Sequence, residues 1–211
     1  MSTAVAIIPA HNEAPRIAAV IGAARASGAV TRVVVVDDGS ADGTRQVAEQ
    51  AGAQVLSFSV NRGKGQAMLA GVRQTSEPIV LFLDADLIGL APGHVSRLIR
   101  HVSSGTCVMA VGLRDYGGIW GELQGAMPHI SGERAVLRSI LERVPESFWN
   151  GFRVEAGINA IARKTGRVCD VTLYGVSMVP KWHKKDPATG LLEAIRMTRD
   201  VIIAMGEAQR L

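Results

Sequence analysis

The sequence has few aromatic residues, two cysteines and only a small excess of positive charge. Aromatic side chains make up 4% of the 211 residues, and the net charge is +4. A nucleic-acid-binding surface usually carries a basic stripe with interleaved aromatics, so no nucleic-acid partner is expected. Cys107 and Cys169 lie in apolar segments, which predicts reduced core cysteines of a cytoplasmic protein rather than a disulfide framework.

The sequence also lacks long apolar runs. The longest, Val33–Val36 and Ile79–Leu83, have the length of a strand, whereas a membrane-spanning helix needs about 20 residues. No basic segment precedes the apolar stretch at the N-terminus, so no secretory signal is expected. Because 47% of the residues are hydrophobic, the chain has enough apolar material for a full core, and we expect one domain, residues 1–211.

The first half of the chain alternates short apolar strands with amphipathic helices. Strands are predicted at Thr3–Pro9, Thr31–Val36, Gln54–Phe58, Pro78–Leu83 and Cys107–Leu113, with helices that begin near Asn12, Gly43, Gly65 and Pro92. Strands that are apolar throughout are buried on both faces. This predicts an α/β fold with a mostly parallel sheet flanked by helices.

The second half carries weaker signals. Residues 114–127 are rich in glycine and are expected to form a mobile loop that becomes ordered when ligand binds. The pattern then predicts helices at Glu133–Val144 and Val154–Lys164, a strand at Arg167–Val179, and a last helix over about Thr189–Glu207. The stripe on that helix is typical of packing within the chain or in a homodimer. A peripheral membrane contact is the alternative, because Lys181, Lys184 and Lys185 could bind anionic lipid beside this helix.

Three polar clusters follow predicted strands, namely Pro9–Glu13, Asp37–Ser40 and Asp84–Asp86. Ligands of parallel sheets bind beyond the carboxyl ends of the strands, where these clusters are expected to meet. Two carboxylates after a buried strand, Asp84 and Asp86, suit Mg²⁺ or Mn²⁺ completed by substrate phosphates. The alternatives are a helix cap and a solvated turn.

Four further residues are candidates for the site. Asp38 suits a base or ribose hydroxyl, although an Asx turn is the alternative. Lys64 follows Gly63 at a helix start, where the helix N-terminus favours anions; a plain turn is the alternative. Glu155 lies off the apolar stripe of its helix, a position that is usually solvated. His183 lies among lysines and is either a surface residue or a metal ligand.

Four motifs in this order resemble the family 2 glycosyltransferases of the GT-A fold: Ile8–Glu13, Val35–Thr44, Asn61–Gly65 and Leu83–Leu87. The spacing is similar to dolichyl-phosphate mannose synthase-like and glucosyl-3-phosphoglycerate synthase-like members. The likeness is strong over residues 4–113, the expected donor half. Residues 114–211, the expected acceptor-side half with a small C-terminal extension, match less well, at Ser131–Arg134 and Gly151–Glu155.

The resemblance implies a metal-dependent glycosyltransferase, a hexosyltransferase that uses a UDP- or GDP-sugar donor with Mg²⁺ or Mn²⁺. It implies a donor site made by Pro9, Ala10, Asn12, Glu13, Asp38, Gly39, Ser40, Lys64, Asp84 and Ala85. Asp86 would bind the metal, with His183 as a further ligand, and Glu155 would deprotonate the acceptor. The acceptor (a polyprenyl phosphate, a phosphorylated small molecule or a glycan) and the retaining or inverting outcome stay open. A catalytically silent nucleotide-sugar-binding protein and a sugar-phosphate nucleotidyltransferase are the alternatives.

Overall fold

The computed structural model describes residues 3–114, 131–151, 153–178 and 206–207. Helices α1 to α4 are Ile17–Ala26, Thr44–Gln50, Lys64–Arg73 and Pro92–Ser103, α5 is Arg138–Leu141 and α6 is Arg153–Thr165; a short 3-10 helix covers Glu146–Phe148. Strands β1 to β9 are Ala4–Ala10, Arg32–Asp37, Gln54–Ser57, Ile79–Phe82, Leu87–Ile88, Met109–Arg114, Arg134–Leu137, Val168–Leu173 and Ser177–Met178. None of these helices is long and apolar enough to cross a bilayer.

Seven strands form one sheet in the order β3-β2-β1-β4-β7-β6-β8. All neighbouring pairs are parallel except those of β7, which runs antiparallel to both β4 and β6. The short strands β5 and β9 pair separately in an antiparallel ribbon. The predicted α/β fold with a mostly parallel, helix-flanked sheet is confirmed.

Both faces of the sheet are covered by apolar layers. Alternate residues of β1 point to opposite sides, with Ile8 packed in the layer under α1 and α4, and Ile7 in the layer under α3 and α6. This two-sided burial explains why the strands are apolar throughout. Cys107 and Cys169 are buried and free, as predicted, and burial together with the neighbouring Cys169 raises the pKa of Cys107 to about 12.

The predicted helix at Glu133–Val144 is wrong for its first half. Residues Arg134–Leu137 form strand β7, and only Arg138–Leu141 are helical. Ala135 and Val136 lie in the two opposite apolar layers, so a strand buries both, and periodicity cannot separate a short buried strand from a helix. The strand predicted at Arg167–Val179 is broken at Gly175, whose φ of 73° turns the chain between β8 and β9.

Several predictions fall outside the described residues. These are the loop after Arg114, His183 with its neighbouring lysines, and the last helix apart from residues 206–207.

An ion pair at the amino edge of the sheet offers a test of stability that is independent of the site. Arg32 Nε and Nη2 donate to the two carboxylate oxygens of Glu77 at 2.6 and 3.1 Å, and this hydrogen bonding lowers the pKa of Glu77 from 4.5 to about 2. A lowered carboxyl pKa stabilises the fold above pH 4.5, and this stabilisation is lost as the pH falls towards 2.

We expect Glu77→Gln to lower the free energy of unfolding at pH 7 by about 1–2 kcal/mol, because solvent screens the partly exposed Arg32. Urea denaturation should show a smaller difference between variant and wild type as the pH is lowered through the acid range. Glu146→Gln, which removes an exposed pair with Arg73, is the matched control and should change stability by less than about 1 kcal/mol. A constant difference at all pH values would contradict the prediction.

Candidate active site

A cavity of about 240 Å³ lies at the carboxyl edge of the sheet, beyond β1, β2 and β4. Eight of the predicted site residues line it: Pro9, Ala10, Glu13, Asp38, Lys64, Asp84, Ala85 and Asp86. The other lining residues are His11, Asn61, Gly63, Ala67 and Met178. The three clusters therefore meet at one edge, as the sequence pattern predicts.

Three predicted donor residues, Asn12, Gly39 and Ser40, do not line this cavity. The backbone N–H of Asn12 donates to Ser40 Oγ at 2.9 Å, and Asn12 Oδ1 accepts from the N–H of Ala41 at the same distance. Asn12 adopts a φ of 56°, a conformation in which asparagine is one of the more tolerant residues. These contacts tie the loop after β1 to the loop after β2.

Asp38 organises the segment that leads into α3. Its two carboxylate oxygens accept the backbone N–H groups of Arg62 and Gly63 at 2.7 and 2.8 Å. Gly63 has a φ of 90°, which favours glycine at the helix start. The Asx-type turn belongs instead to Asp42, whose Oδ1 accepts the N–H of Thr44, two residues on, at 2.9 Å. Asp38 thereby fixes the backbone beside Lys64.

Lys64 connects two carboxylates at the centre of the site. Its Nζ lies 2.8 Å from Asp84 Oδ1 and 3.1 Å from Glu155 Oε1. Burial disfavours the charged amine, but the charges of Asp84 and Glu155 outweigh it and raise the pKa of Lys64. The side chain keeps 27% of its surface exposed towards the cavity. Lys64 is therefore a charged ammonium group that a ligand can reach.

Glu155 is buried, and the expectation that its position on α6 is solvated is wrong. Only 3% of the residue is exposed, and its Oε2 has no hydrogen-bond partner among the described residues. Close packing brings it to Lys64: a Cβ on Gly65 would lie 2.5 Å from the carbonyl oxygen of Trp149, just before α6. Glycine at this position allows α3 to approach the chain that leads into α6.

Two buried charged residues at the start of β7, Glu133 and Arg134, lie in the segment Ser131–Arg134 that resembles the family, but the sequence analysis named neither as a site residue. Ser131 Oγ donates to Glu133 Oε2 at 2.5 Å, and Arg134 Nη1 donates to Asn159 Oδ1 at 3.1 Å. Burial and the charge of Asp84 raise the pKa of Glu133, against the opposing effect of Arg114 and other neighbours. The available signal was a pair of charges at the start of an apolar run, which the helical interpretation hid.

Gly132 packs directly against Asp84. A Cβ on Gly132 would lie 2.3 Å from Asp84 Oδ2, so a side chain there would displace the carboxylate. The segment before β7 thus packs against the carboxylate of Asp84.

The carboxylates of Asp84 and Asp86 suit a hard divalent cation that is completed by a ligand. Both residues line the cavity, and Asp86 is 8% exposed. No group of three or more His, Cys, Asp or Glu that could hold a metal occurs within the described part of the chain. Mg²⁺ and Mn²⁺ sites often use one or two carboxylates plus substrate phosphates, so this donor set fits a cation bound together with a diphosphate.

The fold and the site define an α/β protein with a cavity lined by carboxylates and a lysine at the carboxyl edge of its sheet. The model of Glycosyl transferase family 2 matches residues 5–154, and the chain belongs to this family. The resemblance carried by the four sequence motifs is confirmed.

Relatives of known activity are similar to large parts of the chain. Glucosyl-3-phosphoglycerate synthase of Mycobacterium tuberculosis is 30% identical over an alignment of 190 positions. The alignment covers 72% of this chain and 58% of the synthase. Undecaprenyl-phosphate 4-deoxy-4-formamido-L-arabinose transferase of Pseudomonas paraeruginosa is 34% identical over 109 residues, which cover 47% of this chain and 32% of that enzyme. The chain therefore spans less than two thirds of the length of these relatives.

A solved structure of the M. tuberculosis synthase, in complex with Mn²⁺, UDP-glucose and phosphoglyceric acid, superposes with a TM-score of 0.80 at 27% identity. The superposition covers 98% of this chain and 79% of the synthase chain.

Proposed function

We propose that this chain transfers a sugar from a nucleoside-diphosphate sugar, a UDP-sugar in particular, to a phosphorylated acceptor. The observation that carries the proposal is the contact of Lys64 with both Asp84 and Glu155 at the edge of the cavity. Asp84, the proposed donor-side carboxylate, and Glu155, the proposed acceptor-side carboxylate, both contact the ammonium group of Lys64. Family membership and the synthase structure with Mn²⁺ and UDP-glucose support the same activity.

The donor half, residues 1–113, would hold the nucleotide. Pro9, Ala10, Glu13 and Asp38 line the cavity, and so do Lys64, Asp84 and Asp86. We propose that the nucleoside lies against the first group and the diphosphate beside the second, with the two halves forming one domain. Asn12 and Ser40 would support the nucleoside loop through their hydrogen bond, and Gly39 through its close approach to the backbone of Val60.

Asp86 is the proposed ligand of Mg²⁺ or Mn²⁺, with Asp84 beside it and His183 as a further ligand from outside the described residues. When bound, the cation neutralises the charge that develops on the leaving nucleoside diphosphate. Lys64 supplies a second positive charge at the diphosphate, because its ammonium group is exposed to the cavity and lies at the N-terminus of α3.

Glu155 is the proposed proton acceptor for the incoming hydroxyl. Direct displacement at the sugar carbon by a hydroxyl requires that the hydroxyl lose its proton to a nearby base, whereas a phosphate oxygen is already deprotonated at neutral pH and needs no base. Glu155 Oε2 has no hydrogen-bond partner among the described residues. Glu155 is buried and does not itself line the cavity, but it contacts Lys64, which does. The names of the relatives, with phosphoglycerate and undecaprenyl phosphate as acceptors, support a phosphorylated acceptor here.

The test is turnover of a panel of UDP- and GDP-sugars with MnCl₂, each with and without phosphoglycerate, glycerol phosphate or a short polyprenyl phosphate. We expect one donor to release its nucleoside diphosphate at least about tenfold faster with the matching acceptor, since the acceptor supplies the nucleophile. EDTA should abolish release. Tight binding of a donor without turnover on any acceptor would favour a nucleotide-sugar-binding protein, and release of a nucleoside triphosphate from donor and pyrophosphate would favour a nucleotidyltransferase.

A further inference from the structure

Arg134 is a fully buried cation between the sheet and α6. In the register of the sheet it lies opposite Phe82 of β4 and Val111 of β6. Directly opposed residues share a face, and both neighbours belong to the apolar layer that contains α3 and α6. The start of β7 therefore directs a guanidinium group into an otherwise apolar layer, where an unpaired charge would be strongly destabilising.

The guanidinium group has both hydrogen-bond and charge partners. Arg134 Nε donates to the carbonyl oxygen of Ser131 at 3.2 Å, and Nη1 donates to Asn159 Oδ1 at 3.1 Å. Asn159 lies one turn after Glu155 on α6, so the two share a helix face. Burial lowers the pKa of Arg134, and the carboxylates of Glu155, Glu133 and Asp84 oppose that effect.

The charges of Asp84 and Glu155 act on Arg134 as well as on Lys64, and Arg134 is joined to the helix of Glu155 through Asn159. Lys64 keeps 27% of its side chain exposed and lines the cavity, whereas Arg134 is 0% exposed and does not line it. A bound diphosphate would compete with the carboxylates for Lys64. Removing the only nearby cation from a buried carboxylate is strongly destabilising, so a permanent second cation lowers the free-energy cost of that exchange.

We propose that Arg134 is a positioning residue, the permanent counter-ion of Glu155 and Asp84 that allows Lys64 to leave them for the donor diphosphate. This inference rests on the donor-binding function proposed above. It assigns a role in donor binding to a residue that cannot itself reach the donor.

The test is a double-mutant cycle of Arg134→Met and Glu155→Gln, with the dissociation constant of UDP in MnCl₂ measured by titration calorimetry. We expect Arg134→Met alone to weaken UDP binding by about tenfold, because Lys64 then has to balance both carboxylates without the charge of Arg134. In the Glu155→Gln background the same substitution should change the dissociation constant by less than about twofold, since one of these carboxylates is gone. Arg134→Lys, which keeps the charge, should bind UDP within about threefold of wild type.

The matched control is Arg138→Met on α5. Arg138 is held by the carbonyl oxygens of Glu77 and Val72 rather than by carboxylates, so its loss should lower stability equally in both backgrounds and leave UDP affinity unchanged. Equal effects of Arg134→Met with and without Glu155→Gln, or an Arg134→Lys variant as impaired as Arg134→Met, would show a merely structural arginine and overturn the inference.

Folding of the variants is itself informative. If Arg134→Met does not fold alone, recovery of a cooperative thermal transition in the double variant supports charge balance, and a double variant that is also unfolded overturns it. If the wild-type chain binds neither UDP nor GDP with MnCl₂, the proposed function fails and this inference fails with it. If the wild-type chain binds UDP but the effects of the two substitutions on the dissociation constant are additive, this inference is overturned and the proposed function stands.

Discussion

Replacing Glu155 by glutamine should lower the rate constant of sugar transfer by about 10²–10⁴-fold, the range for loss of a general base. Glutamine keeps the shape of the side chain but cannot accept a proton at neutral pH. Donor affinity should be equal to that of wild type or higher, because Lys64 lies 3.1 Å from Glu155 Oε1 and loses this competing charge. Initial rates with the donor and acceptor identified by the panel measure kcat, and UDP titration measures affinity.

Glu146→Gln is the control for this substitution, since Glu146 is an exposed glutamate whose side chain is 76% accessible. It should leave both transfer and UDP binding unchanged. Full transfer activity in Glu155→Gln would exclude Glu155 as the base and restrict its role to the ion pair with Lys64. A fall in donor affinity equal to the fall in transfer rate would instead place Glu155 in the donor site.

Asp86→Ala should abolish metal-dependent binding of the nucleoside diphosphate. Loss of a residue that only orients a metal ligand typically costs 10–100-fold in metal affinity, so loss of the ligand itself should cost at least about 100-fold. Asp86 lies after β4 and lines the cavity, so the fold should remain intact. Titration of UDP with MnCl₂ and with EDTA, together with a thermal transition, separates loss of binding from loss of folding.

Asp170→Asn, an exposed aspartate of β8, is the control for removal of one carboxylate. It should bind UDP and Mn²⁺ as wild type does. Affinity that is unchanged by EDTA, or by Asp86→Ala, would contradict a metal-bridged donor and leave Lys64 as the cation of the site.

The local sequence pattern was sufficient to predict the carboxylates and the lysine that line the cavity. Asp38, Lys64, Asp84 and Asp86 each follow directly from a strand end or a helix start, and these features are set by residues within a few positions of one another. Because the carboxyl ends of parallel strands meet at one edge, the sheet topology placed the clusters together without further information. These residues line one cavity in the structure.

The strand β7 could not be predicted from the local hydrophobic pattern. Its four residues, Arg134–Leu137, pair on both sides with strands that are distant in sequence. In a short apolar segment the spacing of hydrophobic residues cannot distinguish a strand from a helix. Here the segment forms a strand because it pairs with β4 and β6. Glu133 and Arg134 consequently enter the interior rather than a solvated helix.

The sequence by itself determined the fold class, the polar clusters that line the cavity and the family, because each depends on short motifs and on two-sided burial of strands. Only the tertiary structure decided that Glu155 is buried and that it meets Lys64, a residue 91 positions earlier. That contact depends on the close approach of α3 to the chain before α6 at Gly65, which allows Glu155 to reach Lys64. No local sequence pattern encodes such a distance, since packing between separate elements sets it.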